Sequence, residues 1–231
     1  ADPPVDPPSP LVDPADLPSL ARGALGIALR AAGKSTDAIP HLQAALSVRQ
    51  DNRMTRDQVE LRRALAAAQA ECGDIDAAVK TYADAIEAGE KLQDLLEIAQ
   101  CRRDLGLIYQ KNKRPAQALQ AWTAALAIYE EKNAHAQIAR LYCDIATLRK
   151  EMGAVARALK DTEQALMALN NVDSADLETR GLILSNAANA YAETGDAESA
   201  DAFYSEAIKK KKKMGDKAAD STRCGNYGWF L

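Results

Sequence analysis

The sequence is poor in almost everything that marks an enzyme. No Gly-rich phosphate loop, HExxH, GxSxG or plausible catalytic triad can be read in it. Its two histidines, His41 and His135, stand far apart, and its four cysteines, Cys72, Cys101, Cys143 and Cys224, form no CxxC pair. Neither set has the spacing of a metal site, so no metal or cofactor is implied, and small buried thiols in a reducing, cytoplasmic compartment are the expectation. No run of eighteen apolar residues could span a membrane, and no basic, apolar-cored leader opens the chain. The net charge of −4 argues against a general nucleic-acid binder, whose domain is usually basic. Aromatics make up only 5% of the residues, while alanine supplies much of the 47% hydrophobic content. That composition suits close helix packing better than a β-sandwich.

Proline is nearly confined to one end. Residues 1–18 hold seven of the nine prolines, with four aspartates between them. A segment with so few backbone donors and so little to bury reads as an extended or disordered linker. From residue 19 to residue 231 the composition turns to alanine, leucine and charge at helical spacing.

Within that region the chain repeats itself. The stretch GDIDAAVKTYADAI at 73–86 returns as GDAESADAFYSEAI at 195–208. Gly33, Gly73, Lys113, Gly153 and Gly195 anchor five copies, spaced by 40, 40, 40 and 42 residues. Five residues after each anchor stands an alanine (Ala38, Ala78, Ala118, Ala158, Ala200), and twelve after stands another (Ala45, Ala85, Ala125, Ala165, Ala207). With alanine about a fifth of the chain, ten matches of ten would arise by chance roughly once in ten million. Seven before each anchor lies a small residue (Gly26, Ala66, Gly106, Ala146, Ala188). Nine after come Leu42, Tyr82, Trp122, Thr162 and Tyr204.

Each copy therefore reads as two helices, with the anchor in a turn that needs φ > 0. The small residues let the helices approach, and the large residue nine after is expected to fill space between neighbouring pairs. Thr162 and Leu42, where an aromatic would serve, are expected to loosen the fourth and first repeats. Pro115 belongs in a first helical turn.

The order small–aromatic–glycine–alanine–aromatic–alanine resembles the tetratricopeptide repeat, most closely in LSNAANAYAETGDAESADAFYSEAI. The longer period is similar to that of kinesin light chain and the polarity adaptor LGN/Pins. The resemblance implies an all-α, right-handed superhelical solenoid of five helix-turn-helix repeats. CGNYGWFL at the end reads as a truncated sixth, after which the natural protein is expected to continue. That exposed apolar helix also offers a surface for self-association. The Lys209–Lys213 run reads as a solvated helix end that complements the dipole, not as a nucleic-acid or membrane patch.

By the same resemblance, first helices line a concave groove that binds a partner's peptide. The residues reaching into it lie at fixed distances before each anchor. They place Arg63, Arg103 and Arg140 in its middle and Asn186, Asn189 and Asn226 at its far end. Asparagine suits a peptide backbone because its amide both donates and accepts. Guanidinium groups suit carboxylates, which gives the expected partner an acidic bias. An alternative stays open: Arg63 and Arg103 pair with Asp104 and Asp144 of the next repeat. The functional expectation is a non-enzymatic interaction scaffold. Its rival is a sensory or regulatory segment of a larger protein, docking within its own chain.

Overall fold

The computed structural model describes residues 19–48, 56–172 and 177–213. Among them ten helices form, as five pairs: α1 (Ser19–Ala31) with α2 (Ser35–Val48), α3 (Arg56–Glu71) with α4 (Ile75–Leu92), α5 (Leu95–Lys111) with α6 (Pro115–Glu131), α7 (His135–Glu151) with α8 (Val155–Leu169), and α9 (Leu177–Glu193) with α10 (Ala197–Lys213). No strand occurs among the described residues. The Pro-rich segment 1–18 and the expected sixth first-helix, Asn226 included, lie outside them. The chain falls into two compact units, one reaching Asp104 and one beginning at Leu105.

The turn inside each pair follows from its anchor. Gly33, Gly73, Gly153 and Gly195 take φ of 75°, 88°, 77° and 82°, and Lys113 takes 56°. A left-handed residue there lets two amides return to the carbonyls that the ending helix leaves open. Gly73 N–H donates to Ala70 O at 3.1 Å and Asp74 N–H to Gln69 O at 2.9 Å, and the other four turns repeat this pattern. The aspartate after the glycine then caps the next helix: Asp74 accepts from Ala77 N–H at 3.2 Å, and Asp196 from Ser199 N–H at 3.0 Å. Pro115 sits in the first turn of α6.

A second series of turns, not anticipated from the glycines, joins successive repeats. Gln93 and Asn133, again 40 residues apart, take φ of 54° and 52°. They close the same pair of hydrogen bonds: Asp94 N–H donates to Gly89 O, and Ala134 N–H to Tyr129 O. Neither residue is glycine, so no glycine period betrays them.

The alanine spine is the core. All ten alanines at the five-after and twelve-after positions are buried. Leu42, Tyr82, Trp122, Thr162 and Tyr204 are buried with them. The large residue of repeat one fills space between neighbouring pairs: Leu42 packs in one buried cluster with Leu61, Ala64, Leu65 and Ala68 of α3. In repeats one and three the large residue also lies on the small residue of its own repeat. A Cβ on Gly106 would stand 2.2 Å from Trp122 Nε1, and one on Gly26 would stand 2.6 Å from Leu42 Cγ. Glycine at these two positions therefore makes room for a large neighbour. Burying a side chain of this size contributes about 1.5–3 kcal/mol or more.

Two further addresses recur with changing chemistry. Four before and eight after the anchor, facing residues form a hydrogen bond in repeat two (Thr81–Gln69, 2.8 Å), an ion pair in repeat four (Arg149–Asp161, 2.6 Å) and a ring stack in repeat five (Tyr191–Phe203, 5.4 Å). Between repeats, the residue three before one anchor meets the residue two before the next: Arg30–Glu71, Gln110–Glu151 and Lys150–Glu193.

Candidate functional site

The sequence-predicted site residues fall into both units, and each set is described by itself. In the first unit Arg63, on α3, is only partly exposed. Its guanidinium lies 3.4 Å from Glu97 and 3.6 Å from Asp104, both on α5. Burial works against the Arg63 charge, but the two carboxylates outweigh it and hold its pKa above the usual value. Burial pushes the Asp104 carboxyl up, while Arg63 and Arg103 oppose that shift. The same burial raises the neighbouring Cys101 thiol to about 12. Arg63 thus pairs with the next helix, which is the Arg63–Asp104 half of the alternative pairing. Arg103 steadies Asp104 from the same helix.

In the second unit Arg140 is exposed on α7, and Asn186 and Asn189 are half-buried on α9. The two asparagines come together with Cys143 and Thr147 of α7 around a recess of about 40 Å³. Thr162 of α8 forms part of its wall, with Ala146 and Ala158. The recess lies where Trp122 of the preceding repeat has its indole. Thr162 is the shorter side chain at that address, and the loosening expected of it takes this form.

The lining groups are held by hydrogen bonds. The Tyr204 hydroxyl donates to Asn189 Oδ1 at 2.5 Å. The Thr147 hydroxyl donates to Cys143 O and that of Thr162 to Ala158 O, both at 2.9 Å. Burial, helped by the nearby Asp144, pushes the Cys143 thiol up to about 12, and a hydrogen bond with the Asn186 side chain opposes this. A thiol held so high is protonated at neutral pH and is no nucleophile. Lys150, which also lines the recess, pairs with Glu193 at 3.0 Å.

Sequence reasoning named Asn186 and Asn189 and counted Thr147 among the groove-facing first-helix positions, but it gave Thr162, on a second helix, no functional role. The available signal was the missing aromatic at position 162. Of the cysteines, Cys101 and Cys143 are buried, but Cys72 is exposed, against the expectation that all are buried. It lies at a helix end, where its hydroxyl neighbour Thr36 approaches Sγ to 3.5 Å. Cys224 lies outside the described residues. No described helix is long and apolar enough to cross a membrane.

This architecture of paired helices with a fixed address for each core residue is that of an all-α helical-repeat solenoid. Two stretches, residues 98–133 and 183–213, match family models described as tetratricopeptide repeat. These two stretches of the chain are tetratricopeptide repeats. Both models describe a repeat and not a catalytic domain. No curated protein matches the chain. Among solved structures it is similar to BtubC (BKLC) from P. vanneervenii, at 20% identity and a TM-score of 0.72, covering 85% of this chain and 83% of that one. It is also similar to TPR-like repeats from Podosopora anserina, provisionally assigned to a kinesin light chain, at 16% identity and a TM-score of 0.66, covering 88% and 99%. A third similar structure is the Rap conjugation gene regulator of the plasmid pLS20 in complex with the Phr* peptide, at 16% identity and a TM-score of 0.67. That match covers 96% of this chain and 64% of the regulator. At these identities the likeness establishes the fold.

Proposed function

We propose that this chain is a non-catalytic scaffold whose first-helix face binds a segment of a partner protein. The carrying observation is the set of half-buried polar side chains on α7 and α9, with Thr147, Asn186 and Asn189 gathered at one recess. Amide and hydroxyl groups left partly open to solvent suit the donors and acceptors of a peptide backbone. Arg140 lies on α7 too, and in this reading it meets a flank of the bound segment. Arg63 is assigned to the fold, so an acidic preference is no longer part of the reading. The fold shared with a Rap regulator in complex with the Phr* peptide supports a peptide as occupant. It also favours the second reading, a regulatory segment within a longer chain. Unpaired buried thiols at Cys101 and Cys143 suit a reducing, cytoplasmic setting.

Panning a random peptide library on the purified chain tests this. Selected peptides should shift backbone NMR signals of α7 and α9, and Asn186→Ala should weaken them by about tenfold without lowering the melting temperature. Selected peptides that perturb only second helices, or a library that returns none, would overturn the proposal.

A further inference from the structure

The recess beside Thr162 has a size and a hydrogen-bonding pattern that together restrict what can enter it. Its volume is about 40 Å³. At about 10–15 Å³ for each water-sized position, that is room for three or four heavy atoms. One side of the recess accepts. The Thr147 and Thr162 hydroxyls give their protons to Cys143 O and Ala158 O, so towards the recess they offer lone pairs. The other side donates. Asn189 has its oxygen occupied by the Tyr204 hydroxyl, which leaves its NH₂ group for an incoming acceptor. Ala146 and Ala158 make the remaining wall apolar. Lys150, which also lines the recess, is already matched by Glu193, so the pair adds no net charge to draw in a carboxylate.

A purely apolar group would leave the Asn189 amide without a partner, and a carboxylate would bring no donor for the threonines. A hydroxyl is too small to reach both sides. The group that fits is neutral, planar, about four heavy atoms long, and both donates and accepts. We propose that the recess is a subsite for the carboxamide side chain of an asparagine or glutamine in the bound partner segment. Its carbonyl takes the Asn189 amide, and its NH₂ gives to Thr147 or Thr162. The proposal rests on the reading that this face takes a partner segment, but its test does not need that segment.

The chain, labelled with ¹³C at alanine and threonine methyls, is titrated with N-acetylglutamine methylamide. The glutamate and leucine counterparts serve as comparisons. The glutamine compound should give saturable shifts at Thr147, Thr162, Ala146 and Ala158, and the other two should bind at least about fivefold more weakly. Thr147→Val keeps the shape and removes an acceptor, so it should weaken the glutamine compound by a similar factor at an unchanged melting temperature. Thr162→Tyr should fill the recess and abolish the shifts. Equal responses to all three compounds, no saturable shift up to the solubility limit, or binding that survives Thr162→Tyr would each overturn the subsite. Peptides selected on the whole face could still bind through α7 and α9 in that event, so the two proposals fail separately.

Discussion

Repeats three and four share one register and one set of turns, yet they spend their interiors differently. In repeat three Gly106 yields its whole side-chain volume to Trp122, which is fully buried. In repeat four the same two addresses hold Ala146 and Thr162, and a recess is left. At the neighbouring address, repeat three has Tyr109 and Ala121, whereas repeat four has the Arg149–Asp161 ion pair with both carboxylate oxygens 2.6 Å from the guanidinium. The backbone is held by the alanine spine and the left-handed turns, which the two repeats have in common. The remaining core positions are therefore free to be filled for stability in one repeat and, in the function proposed above, to serve recognition in the other.

The comparison breaks most sharply at Trp122. Trp122→Ala should cost about 3–5 kcal/mol, because the lost indole leaves a cavity that Gly106 cannot fill. Chemical denaturation would show this as a lower midpoint, and a loss under about 1 kcal/mol would mean that repeat three does not lean on the indole.

Repeat four should break at its ion pair instead. Arg149→Met strands the Asp161 carboxylate, which is 6% exposed, and should cost about 2–4 kcal/mol near neutral pH. The sign with pH follows from its direction of shift. Burial raises the Asp161 pKa in the folded state, and Arg149 opposes the rise. With Arg149 gone the folded chain binds this proton still more tightly than the unfolded chain does. Stability lost above the folded pKa is then regained as pH falls towards the unfolded value. The deficit relative to the parent chain should shrink between about pH 7 and about pH 4, as parallel melts across that range would reveal.

The smallest effect has the opposite sign. Thr162→Tyr gives repeat four the residue that repeats two and five carry at this address, and should stabilise by about 0.5–2 kcal/mol. A destabilised variant would show that Ala146, in place of glycine, leaves too little room for a ring.

Much of this was legible along the chain. The period of 40 to 42 residues placed every intra-repeat turn, Lys113 included, because backbone geometry selects one left-handed residue at each. The two alanine series named buried positions without exception, since close helix approach tolerates only small side chains. Gln93 and Asn133 escaped notice because a left-handed turn can be held by residues other than glycine when the helix-end hydrogen bonds are satisfied. Arg63 was read as one of two things, a ligand group or an ion-pair partner, and its guanidinium spacing cannot distinguish them. The distances to Glu97 and Asp104 establish the ion pair.

The same division runs through the candidate site. Local sequence determines where helices start and stop, which positions are small, and that residue 162 lacks an aromatic ring, because these depend on backbone sterics and side-chain volume repeated at fixed intervals. What the missing ring becomes depends on side chains from three different helices. Only their tertiary approach brings Asn189, Thr147 and Thr162 to one recess. Hydrogen-bond direction is set by neighbours far apart in the chain, such as Tyr204 on Asn189 and Glu193 on Lys150, and no linear spacing carries that information.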